Sequence, residues 1–354
     1  MAAVGIAGAE VVTLHPMPLT PAGDDKPAKT DSPLRIPGLG RRIPVKEDPA
    51  GSDMIAVAIE NVTKTFGRFT AVDDLSLAVP AGTIYGFIGP NGSGKTTTLR
   101  MIMRILVPDA GHIRVLGEET WKAASDRVAY LPEERGLYKK MTVANVLRFY
   151  AELKGFRDCR PAIAGWLEKM GLADWADKPV EALSKGMSQK VQFIATVVAR
   201  PQLVLLDEPF SGLDPVNAEV LRDAILTLKK EGATVIFSTH DMAVAERMCD
   251  FIFMIYNGRK VLDGTLEAIK DTHGTDTLHV HLDGFGGSLA DLPGVVKATD
   301  FGRWQELRLS PGTDPQALLS RLMERGRVRH FEIARPTLQD IFVRIASPGP
   351  EVAP

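Results

Sequence analysis

One glycine-rich segment, GPNGSGKT at Gly89–Thr96, constrains what this chain can fold into more than any other. It follows the strand-like run TIYGFIG at 83–89 and precedes TTLRMIMRIL at 97–106, whose apolar residues recur at helical spacing. A strand, a loop of the pattern G-x-x-x-x-G-K-[ST] and a helix, in that order, are the context of a phosphate-binding loop. A chance glycine-rich turn is the alternative, and the matching strand and helix argue against it.

The residue types in this loop suit nucleotide phosphates. The glycines let successive backbone N–H groups line a concave nest, whereas Pro90 has no N–H and only fixes the chain. Lys95 is predicted to neutralise phosphate charge, the Thr96 hydroxyl to bind Mg²⁺, and Thr97 to reach the α-phosphate. The predicted phosphate-binding residues are Gly89, Pro90, Asn91, Gly92, Ser93, Gly94, Lys95, Thr96 and Thr97.

A second candidate element is LVLLDEP at 203–209, which places two acidic residues at the end of a predicted buried strand. Asp207 would hold the metal, directly or through water, and Glu208 would orient and polarise an attacking water. Adjacent carboxylates at a strand end also occur as solvated turn residues. The run by itself leaves both interpretations open.

The segment LSKGMSQ at 183–189 resembles the signature of ABC ATPases, usually LSGGQ, which other phosphate-loop ATPases lack. Further matches follow in the family's order. SGLD at 211–214, ending in Asp214, resembles the D-loop, His240 the switch histidine, and Phe66 the aromatic residue that stacks on adenine. The resemblance covers residues 54 to about 270 and implies ATP and Mg²⁺ as cofactors and ATP hydrolysis as the activity.

The resemblance also implies a site shared between two subunits, either a homodimer or a heterodimer with a second ATPase subunit. The γ-phosphate of an ATP at Lys95 of one subunit would be capped by Ser184 and Gly186 of the other, at the N-terminus of a helix beginning near Met187. His240 would contact the γ-phosphate, although a lone histidine at a strand end is more often a surface residue. ATP binding would close the dimer and hydrolysis would release it.

Three positions depart from the family's usual pattern. Lys185 and Met187 stand where the signature usually has glycine and glutamine. In YLPEERGLY at 130–138, Glu133 stands where the family commonly has a glutamine that approaches Mg²⁺ and couples to the membrane partner. A carboxylate still accepts from metal-bound water but adds negative charge near the phosphates. We therefore expect Glu133 in the metal and nucleotide site, with altered coupling.

A narrower resemblance concerns transport. LPEERGLY and DEPFSGLDPVN are similar to the ATP-binding subunits of bacterial sodium-efflux and drug-efflux exporters, and PTLQDIF at 336–342 resembles the PSLEDIF ending of those subunits. This implies separate membrane-spanning permease partners, a location on the cytoplasmic face of the cell membrane, and a C-terminal domain that assists dimerisation or partner contact. Sodium or drug efflux is the implied transport, and the cargo stays open because its pathway belongs to the permease.

The expected fold class is α/β: a P-loop NTPase cassette of the ABC type, with a RecA-like core, an antiparallel β-subdomain and an inserted helical subdomain, plus a small α+β C-terminal domain. We predict a disordered, proline-rich tail at 1–53, the cassette at 54–272 with its helical subdomain at about 141–200, the α+β domain at 273–346 and a short tail at 347–354. Met54 is a candidate alternative start of translation.

Composition excludes several classes of partner. The net charge of −2 gives no basic excess of the kind that nucleic acids or acidic lipids attract. The longest apolar runs, at 191–199 and 251–256, fall well short of the ~20 residues that a spanning helix needs. The N-terminal segment lacks the apolar region of a secretory signal. Cys159 and Cys249 show no CxxC spacing, so we predict two reduced thiols.

Other interpretations were weighed. A soluble ABC ATPase that remodels nucleic acid or ribosomes usually has two cassettes or a long coiled-coil insertion, whereas this chain has one cassette. A switch protein that binds ATP with little turnover would not need Glu208 and His240. His279 and His281 alternate on a predicted strand and suit a metal site, but a third ligand is not evident and a solvated face is the better interpretation.

Overall fold

The computed structural model describes residues 54–119, 126–134, 136–273, 277–310 and 312–346. The tails predicted at 1–53 and 347–354 lie outside the described residues. The strands are β1 (Ile55–Phe66), β2 (Phe69–Pro80), β3 (Ile84–Ile88), β4 (Ala110–Val115), β5 (Glu118–Glu119), β6 (Val128–Leu131), β7 (Leu203–Asp207), β8 (Thr234–Thr239), β9 (Phe251–Tyr256), β10 (Arg259–Thr265), β11 (Thr277–Asp283), β12 (Val295–Asp300), β13 (Gln305–Leu309) and β14 (Arg327–Ala334). The helices are α1 (Lys95–Ile102), α2 (Val143–Leu153), α3 (Arg160–Lys169), α4 (Lys185–Val197), α5 (Pro215–Lys230), α6 (Met242–Met248), α7 (Leu266–Thr272), α8 (Pro315–Arg325) and α9 (Leu338–Ala346).

The central sheet has the strand order β10-β9-β3-β8-β7-β6. The five strands from β9 to β6 run parallel, as the alternation of strands and helices predicted. The edge strand β10 corrects that prediction, because it runs antiparallel to β9. Its connection is the two residues Asn257 and Gly258, at φ +49° and +76°, and such a two-residue hairpin joins only antiparallel strands.

Both faces of the central sheet are covered. In β7, Leu203 and Leu205 pack toward the antiparallel sheet β2-β1-β4-β5 and α1, whereas Val204 and Leu206 pack among residues of α2, α3, α4 and α5. A strand buried on both faces reads as a continuous apolar run. LVLLD at 203–207, TVIFST at 234–239 and FIFMIY at 251–256 are such runs and predict strands, and the structure confirms their bounds.

The helices between residues 143 and 197 begin and end at recognisable caps. Residue type predicts Thr142 as the N-cap of α2 and Gly155 as its stop. Thr142 indeed accepts a hydrogen bond from the Asn145 N–H, and Gly155 follows the helix end at φ +74°. The helix expected near Met187 begins earlier: α4 starts at Lys185, because the Ser184 side chain already caps it by accepting from the Met187 N–H at 3.3 Å.

Helix α1 is shorter than its apolar pattern predicted. It ends at Ile102, and Arg104 then adopts φ +55°, which a continuing helix does not allow. The apolar residues that extend the pattern beyond Ile102 therefore belong to the turn that leads toward β4.

The C-terminal part forms its own antiparallel sheet, β12-β13-β11-β14, with α8 packed on one face around Leu318 and Leu322. The alternating runs TLHVHL at 277–282, WQELRLS at 304–310 and RHFEIA at 329–334 predict strands, and PQALLSRLMERG at 315–326 predicts an amphipathic helix. Strands β11, β13 and β14 and helix α8 confirm these predictions. Strand β12 and helix α9 were not predicted. Helix α9 packs outside this sheet, against α6 of the cassette.

Candidate functional site

The glycine-rich loop between β3 and α1 adopts a conformation that suits glycine alone. Gly89, Gly92 and Gly94 have φ values of +152°, +77° and +110°. A Cβ on Gly89 would lie 2.2 Å from the carbonyl oxygen of Ile255, and one on Gly94 would lie 2.5 Å from that of Ala71. Both the backbone conformation and the close packing therefore require the glycines.

This loop contains unused hydrogen-bonding groups. The Ser93 hydroxyl is 3% exposed and has no hydrogen-bond partner among the described residues. Gly94 is the N-cap of α1 and provides no side-chain cap for the helix N–H groups. A buried hydroxyl without a partner and an uncapped helix N-terminus together fit a bound phosphate.

Lys95 lies at the centre of the site. Its Nζ donates to the carbonyl oxygens of Gly89 at 2.8 Å and Pro90 at 3.1 Å, and it lies 3.7 Å from Oε1 of Glu208. Burial lowers the pKa of Lys95, and the nearby carboxylates of Glu208, Asp207 and Glu133 oppose that shift. The ammonium group is therefore desolvated, and its hydrogen bonds to the loop carbonyls fix its position. A desolvated cation held in this way binds an anionic ligand strongly.

Asp207, the last residue of β7, is 1% exposed, and both of its carboxylate oxygens accept hydrogen bonds. Thr96 Oγ1 donates to Oδ1 at 3.0 Å, Ser238 Oγ donates to Oδ1 at 2.6 Å, and Tyr130 OH donates to Oδ2 at 3.2 Å. Burial, together with the charge of Asp207, raises the pKa of Tyr130 to about 12. These contacts form because β6, β7 and β8 are parallel neighbours whose carboxyl ends meet at one edge.

Glu208 follows directly and occupies a strained backbone conformation, with φ +47°. Its N–H donates to Ser238 Oγ at 3.0 Å, and its two carboxylate oxygens each lie 3.1 Å from Nδ1 of His240. The carboxylate is nearly buried, whereas His240 is more than half exposed. Glu208 thus lies between a cation, Lys95, and an imidazole that faces solvent.

A cavity of about 440 Å³ joins these groups. Phe66 and Phe69, at the hairpin between β1 and β2, line this cavity together with residues of the phosphate loop, Glu133 and Glu208. The two phenylalanines are 48% and 60% exposed. The remaining lining residues are Ala71, Asn91, Gly92, Gly94, Lys95, Thr96 and Thr97.

Eight of the predicted site residues do not line this cavity of their own chain. Five of them adjoin lining residues in the sequence or contact them: Gly89, Pro90, Ser93, Asp207 and His240. The other three, Ser184, Gly186 and Asp214, belong to the signature and D-loop segments. Ser184 is an exposed N-cap. Asp214 is the N-cap of α5, where the backbone N–H and side-chain amide of Asn217 donate to it at 3.0 and 2.5 Å and lower the pKa of Asp214.

Comparison with known proteins agrees with this geometry. Residues 72–211 match the ABC transporter family, and residues 264–346 match the C-terminal domain of DrrA1-3-like ATP-binding proteins. The uncharacterized ABC transporter ATP-binding protein YhaQ of Bacillus subtilis is 39% identical over 289 residues, which are 81% of this chain and 97% of that protein. This chain belongs to the ABC transporter ATP-binding proteins.

Further relatives of this ABC ATPase include the Nod factor export ATP-binding protein I of Sinorhizobium fredii, 32% identical over 300 residues, 82% of this chain and 86% of that protein. A solved structure of an ATP-binding subunit of an ABC transporter is 30% identical, with a TM-score of 0.59, and covers 62% of this chain and 93% of its own. The chain is accordingly an ATP-hydrolysing subunit of an ABC transporter, related to export ATPases. Subunits of this type work with separate membrane permeases.

One structural finding bears on the membrane. Among the described residues, no helix is both long enough and apolar enough to cross a bilayer.

The residues of this ABC ATPase fit Mg²⁺ as well as ATP. The Thr96 hydroxyl and the Asp207 carboxylate lie together, and Glu133 lines the same cavity. Mg²⁺ prefers such hard oxygen ligands and usually takes only one or two of them from the protein, with the rest from phosphates and water. In line with this, the described residues contain no group of three or more acidic, histidine or cysteine side chains that could hold a metal by themselves.

Sequence reasoning missed several residues that the structure brings to the site. Phe69 lines the cavity beside Phe66, and its position two residues after Gly67, across the hairpin turn from Phe66, was an available signal. Ser238 and Tyr130 contact Asp207 from the neighbouring strands. These contacts depend on strand order, for which the sequence carries no direct signal.

The histidines weighed as metal ligands lie on the C-terminal sheet, far along the chain from this site. His279 Nε2 lies 3.4 Å from Glu306 Oε2, and its ring packs on Trp304 at 4.3 Å between centroids. His281 lies opposite His330 in the register of β11 and β14.

Proposed function

We propose that this subunit hydrolyses ATP in a closed dimer and so drives export through a separate permease. The observation that carries the proposal is the position of the Glu208 carboxylate, in the cavity between Lys95 Nζ at 3.7 Å and His240 Nδ1 at 3.1 Å. A nearly buried carboxylate beside the phosphate loop is placed to orient and polarise a water for attack on the γ-phosphate.

The remaining residues have complementary roles. Lys95 and the loop N–H groups would hold the β- and γ-phosphates, and His240 would contact the γ-phosphate. Mg²⁺, held by Thr96, Asp207 and Glu133, would neutralise developing charge on the phosphates. Phe66 would stack on the adenine, with Phe69 beside it.

The proposed dimer explains why the signature residues lie outside the cavity. Ser184 is exposed at the N-terminus of α4, where free N–H groups and the helix dipole favour an anion. We propose that Ser184 and Gly186 cap the γ-phosphate of an ATP bound by the partner subunit, with Asp214 at the shared interface. Such an arrangement needs both subunits for hydrolysis, which couples nucleotide turnover to opening and closing.

The proposed contact with the permease lies around Glu133–Tyr138 and the adjacent helices. Tyr138 is exposed and packs edge-on against Phe149 of α2 at 5.4 Å between ring centroids. Through this contact, a movement of α2 would displace Tyr138, which follows Glu133 of the ATP cavity by five residues. We propose that this surface binds the permease at the cytoplasmic face of the membrane, and that the permease determines the cargo, whether ion, drug or lipid-like molecule. The relationship to Nod factor export proteins supports export rather than nucleic-acid remodelling.

Glu208→Gln tests the proposal. The amide keeps the shape of the side chain but is a poor base, so we expect turnover to fall by roughly 100- to 10,000-fold. ATP with Mg²⁺ should then convert this variant to a stable dimer with bound ATP, measured by light scattering after size exclusion. Glu231→Gln, at an exposed position at the end of α5, is the control. Wild-type turnover of Glu208→Gln would refute the role of Glu208.

A further inference from the structure

The C-terminal helix α9 is bound to the cassette rather than to its own sheet. Leu338 and Ile341 are fully buried and belong to a cluster with Ala245 of α6 and Ile88 of β3. Met242, the first residue of α6, packs against the same cluster. The apolar side of α9 therefore lies against α6, the helix that follows β8 and His240.

A polar contact fixes the start of α9 on α6. The N–H of Leu338 donates to Oε1 of Glu246 at 2.5 Å, and Lys270 Nζ lies 3.3 Å from the same oxygen. A carboxylate at a helix N-terminus satisfies an otherwise free N–H and interacts favourably with the helix dipole. Glu246 is thus a cap for α9 that is supplied by α6.

The middle of α9 contacts the central sheet. Phe342 packs edge-on against Tyr256, the last residue of β9, with 5.6 Å between ring centroids. In β9, residues up to Met254 pair with β3, whereas Tyr256 pairs with Arg259 of β10. Helix α9 therefore links the β9–β10 hairpin of the central sheet to α6.

Helix α6 directly follows the proposed switch histidine. His240 precedes Asp241, which caps α6 by accepting from the N–H groups of Ala243 and Val244 at 3.0 and 3.1 Å. Helix α6 has seven residues: Ala245 packs in the cluster shared with α9, and Met248 packs in the cluster on the helical face of the central sheet. A displacement of α6 would move the backbone of His240 relative to Glu208.

We propose that α9 is a positioning element of the ATPase site, which holds α6 so that His240 stays beside Glu208. The inference rests on the proposed function, because α9 would affect ATP hydrolysis through the proposed role of His240. The phosphate loop has its own supports, namely the contacts of Lys95 with Gly89 and Pro90. Loss of the α9 contact should therefore lower kcat while the KM for ATP changes little.

Phe342→Ala is the first test, and Val343→Ala, at an exposed position on the same helix, is its matched control. In steady-state ATPase assays of the full chain we expect kcat to fall about tenfold in Phe342→Ala. This loss is smaller than the roughly hundredfold loss of rate that a 1 Å misplacement of a catalytic group can cause. Val343→Ala should retain the wild-type kcat. Equal values of kcat in both variants and the wild type would overturn the inference.

A second pair of variants separates positioning from loss of structure. Glu246→Gln keeps an oxygen that accepts from the Leu338 N–H, whereas Glu246→Ala removes it. We expect kcat to fall in the alanine variant and to be largely restored in the glutamine variant, with the urea midpoint of both recorded beside it. If kcat falls only in proportion to the urea midpoint, α9 has a merely structural role, which would overturn the inference.

The route through His240 is tested by a double-mutant cycle and by NMR. Phe342→Ala should add no further loss to His240→Ala, because residues that act through one another are not additive. The imidazole signal of His240, assigned among the seven histidines by its absence in His240→Ala, should shift in Phe342→Ala but not in Val343→Ala. Full additivity with an unmoved signal would contradict the inference and leave the proposed function standing. A wild-type kcat in His240→Ala would overturn the inference and the proposed role of His240, whereas the proposed function is tested separately by Glu208→Gln.

Discussion

The hydroxyl of Ser238 donates a hydrogen bond to Oδ1 of Asp207 at 2.6 Å. The same hydroxyl accepts the N–H of Glu208 at 3.0 Å, so one side chain on β8 connects the proposed metal ligand and the proposed base on β7. Ser238 is fully buried, and neither contact has room to be replaced by bulk water. The spatial relation of the two acidic residues therefore depends on a residue from a neighbouring strand.

Ser238→Ala should impair both activity and folding. It leaves the buried N–H of Glu208 without its partner, which costs about 1–3 kcal/mol of the free energy of unfolding. We expect kcat to fall in Ser238→Ala. Ser238→Thr keeps the hydroxyl and should retain more of the wild-type kcat. Steady-state kinetics and urea unfolding measure the two effects. An alanine variant with wild-type kcat and midpoint would show that the bridge is dispensable.

Glu133→Gln should strengthen the binding of ATP in the absence of Mg²⁺. The carboxylate lines the ATP cavity and is exposed, so removal of its negative charge near the phosphates is worth up to about 1 kcal/mol, or roughly two- to fivefold in Kd. It should also change the stimulation of ATPase activity by the permease. Glu134→Gln, exposed but outside the cavity lining, is the control. Identical ATP affinity, stimulated rate and transport would contradict the role of Glu133.

Gln189 connects the signature helix to the segment after Glu208. Its Nε2 donates to the carbonyl oxygen of Pro209, and the side chain is 4% exposed. Gln189→Leu preserves approximate size but removes this donor, so we expect kcat to fall through a displaced Glu208. Gln192→Leu, also buried on α4, is the matched comparison. Equal losses of kcat in the two variants would mean that the Gln189 contact has no specific role.

Asp109 predicts a pH dependence of stability. Lys64 Nζ and the backbone N–H and hydroxyl of Thr65 each donate to it at 2.7 Å, which lowers the pKa of Asp109 from 3.8 to about 2. A depressed folded-state pKa stabilises the fold above pH 3.8 and loses that contribution as the pH falls toward 2. Asp109→Asn should therefore lower the urea midpoint at pH 7, and the difference should shrink toward pH 2. A difference independent of pH would contradict this.

The sequence predicted most accurately those elements whose residues need no distant partner to be recognised. The buried strands β7, β8 and β9 were recognisable because burial on both faces makes a continuous apolar run. The phosphate loop was recognisable because its residues form one contiguous motif flanked by a strand and a helix.

What the sequence did not show depends on which elements become neighbours. Ser238 and Tyr130 reach Asp207 only because β6, β7 and β8 lie side by side. Helix α9 has nine residues, and its apolar positions are explained by packing against elements distant along the chain, such as α6 and β9, which precede it by more than eighty residues. The antiparallel direction of β10 followed from Asn257 and Gly258, a turn signal that the βαβ pattern obscured.

The shared ATP site is tested most directly by mixing two inactive subunits. Gly186→Asp disables the signature but leaves Glu208 intact, and a side chain fits locally because a Cβ there would lie no closer than 3.5 Å to its neighbours. Glu208→Gln disables the base but leaves the signature intact. In a mixed dimer, one site would combine the phosphate loop and Glu208 of the first variant with Ser184 and Gly186 of the second. We predict that the mixture hydrolyses ATP well above the sum of the two separate rates, whereas a rate equal to that sum would contradict a site shared between subunits.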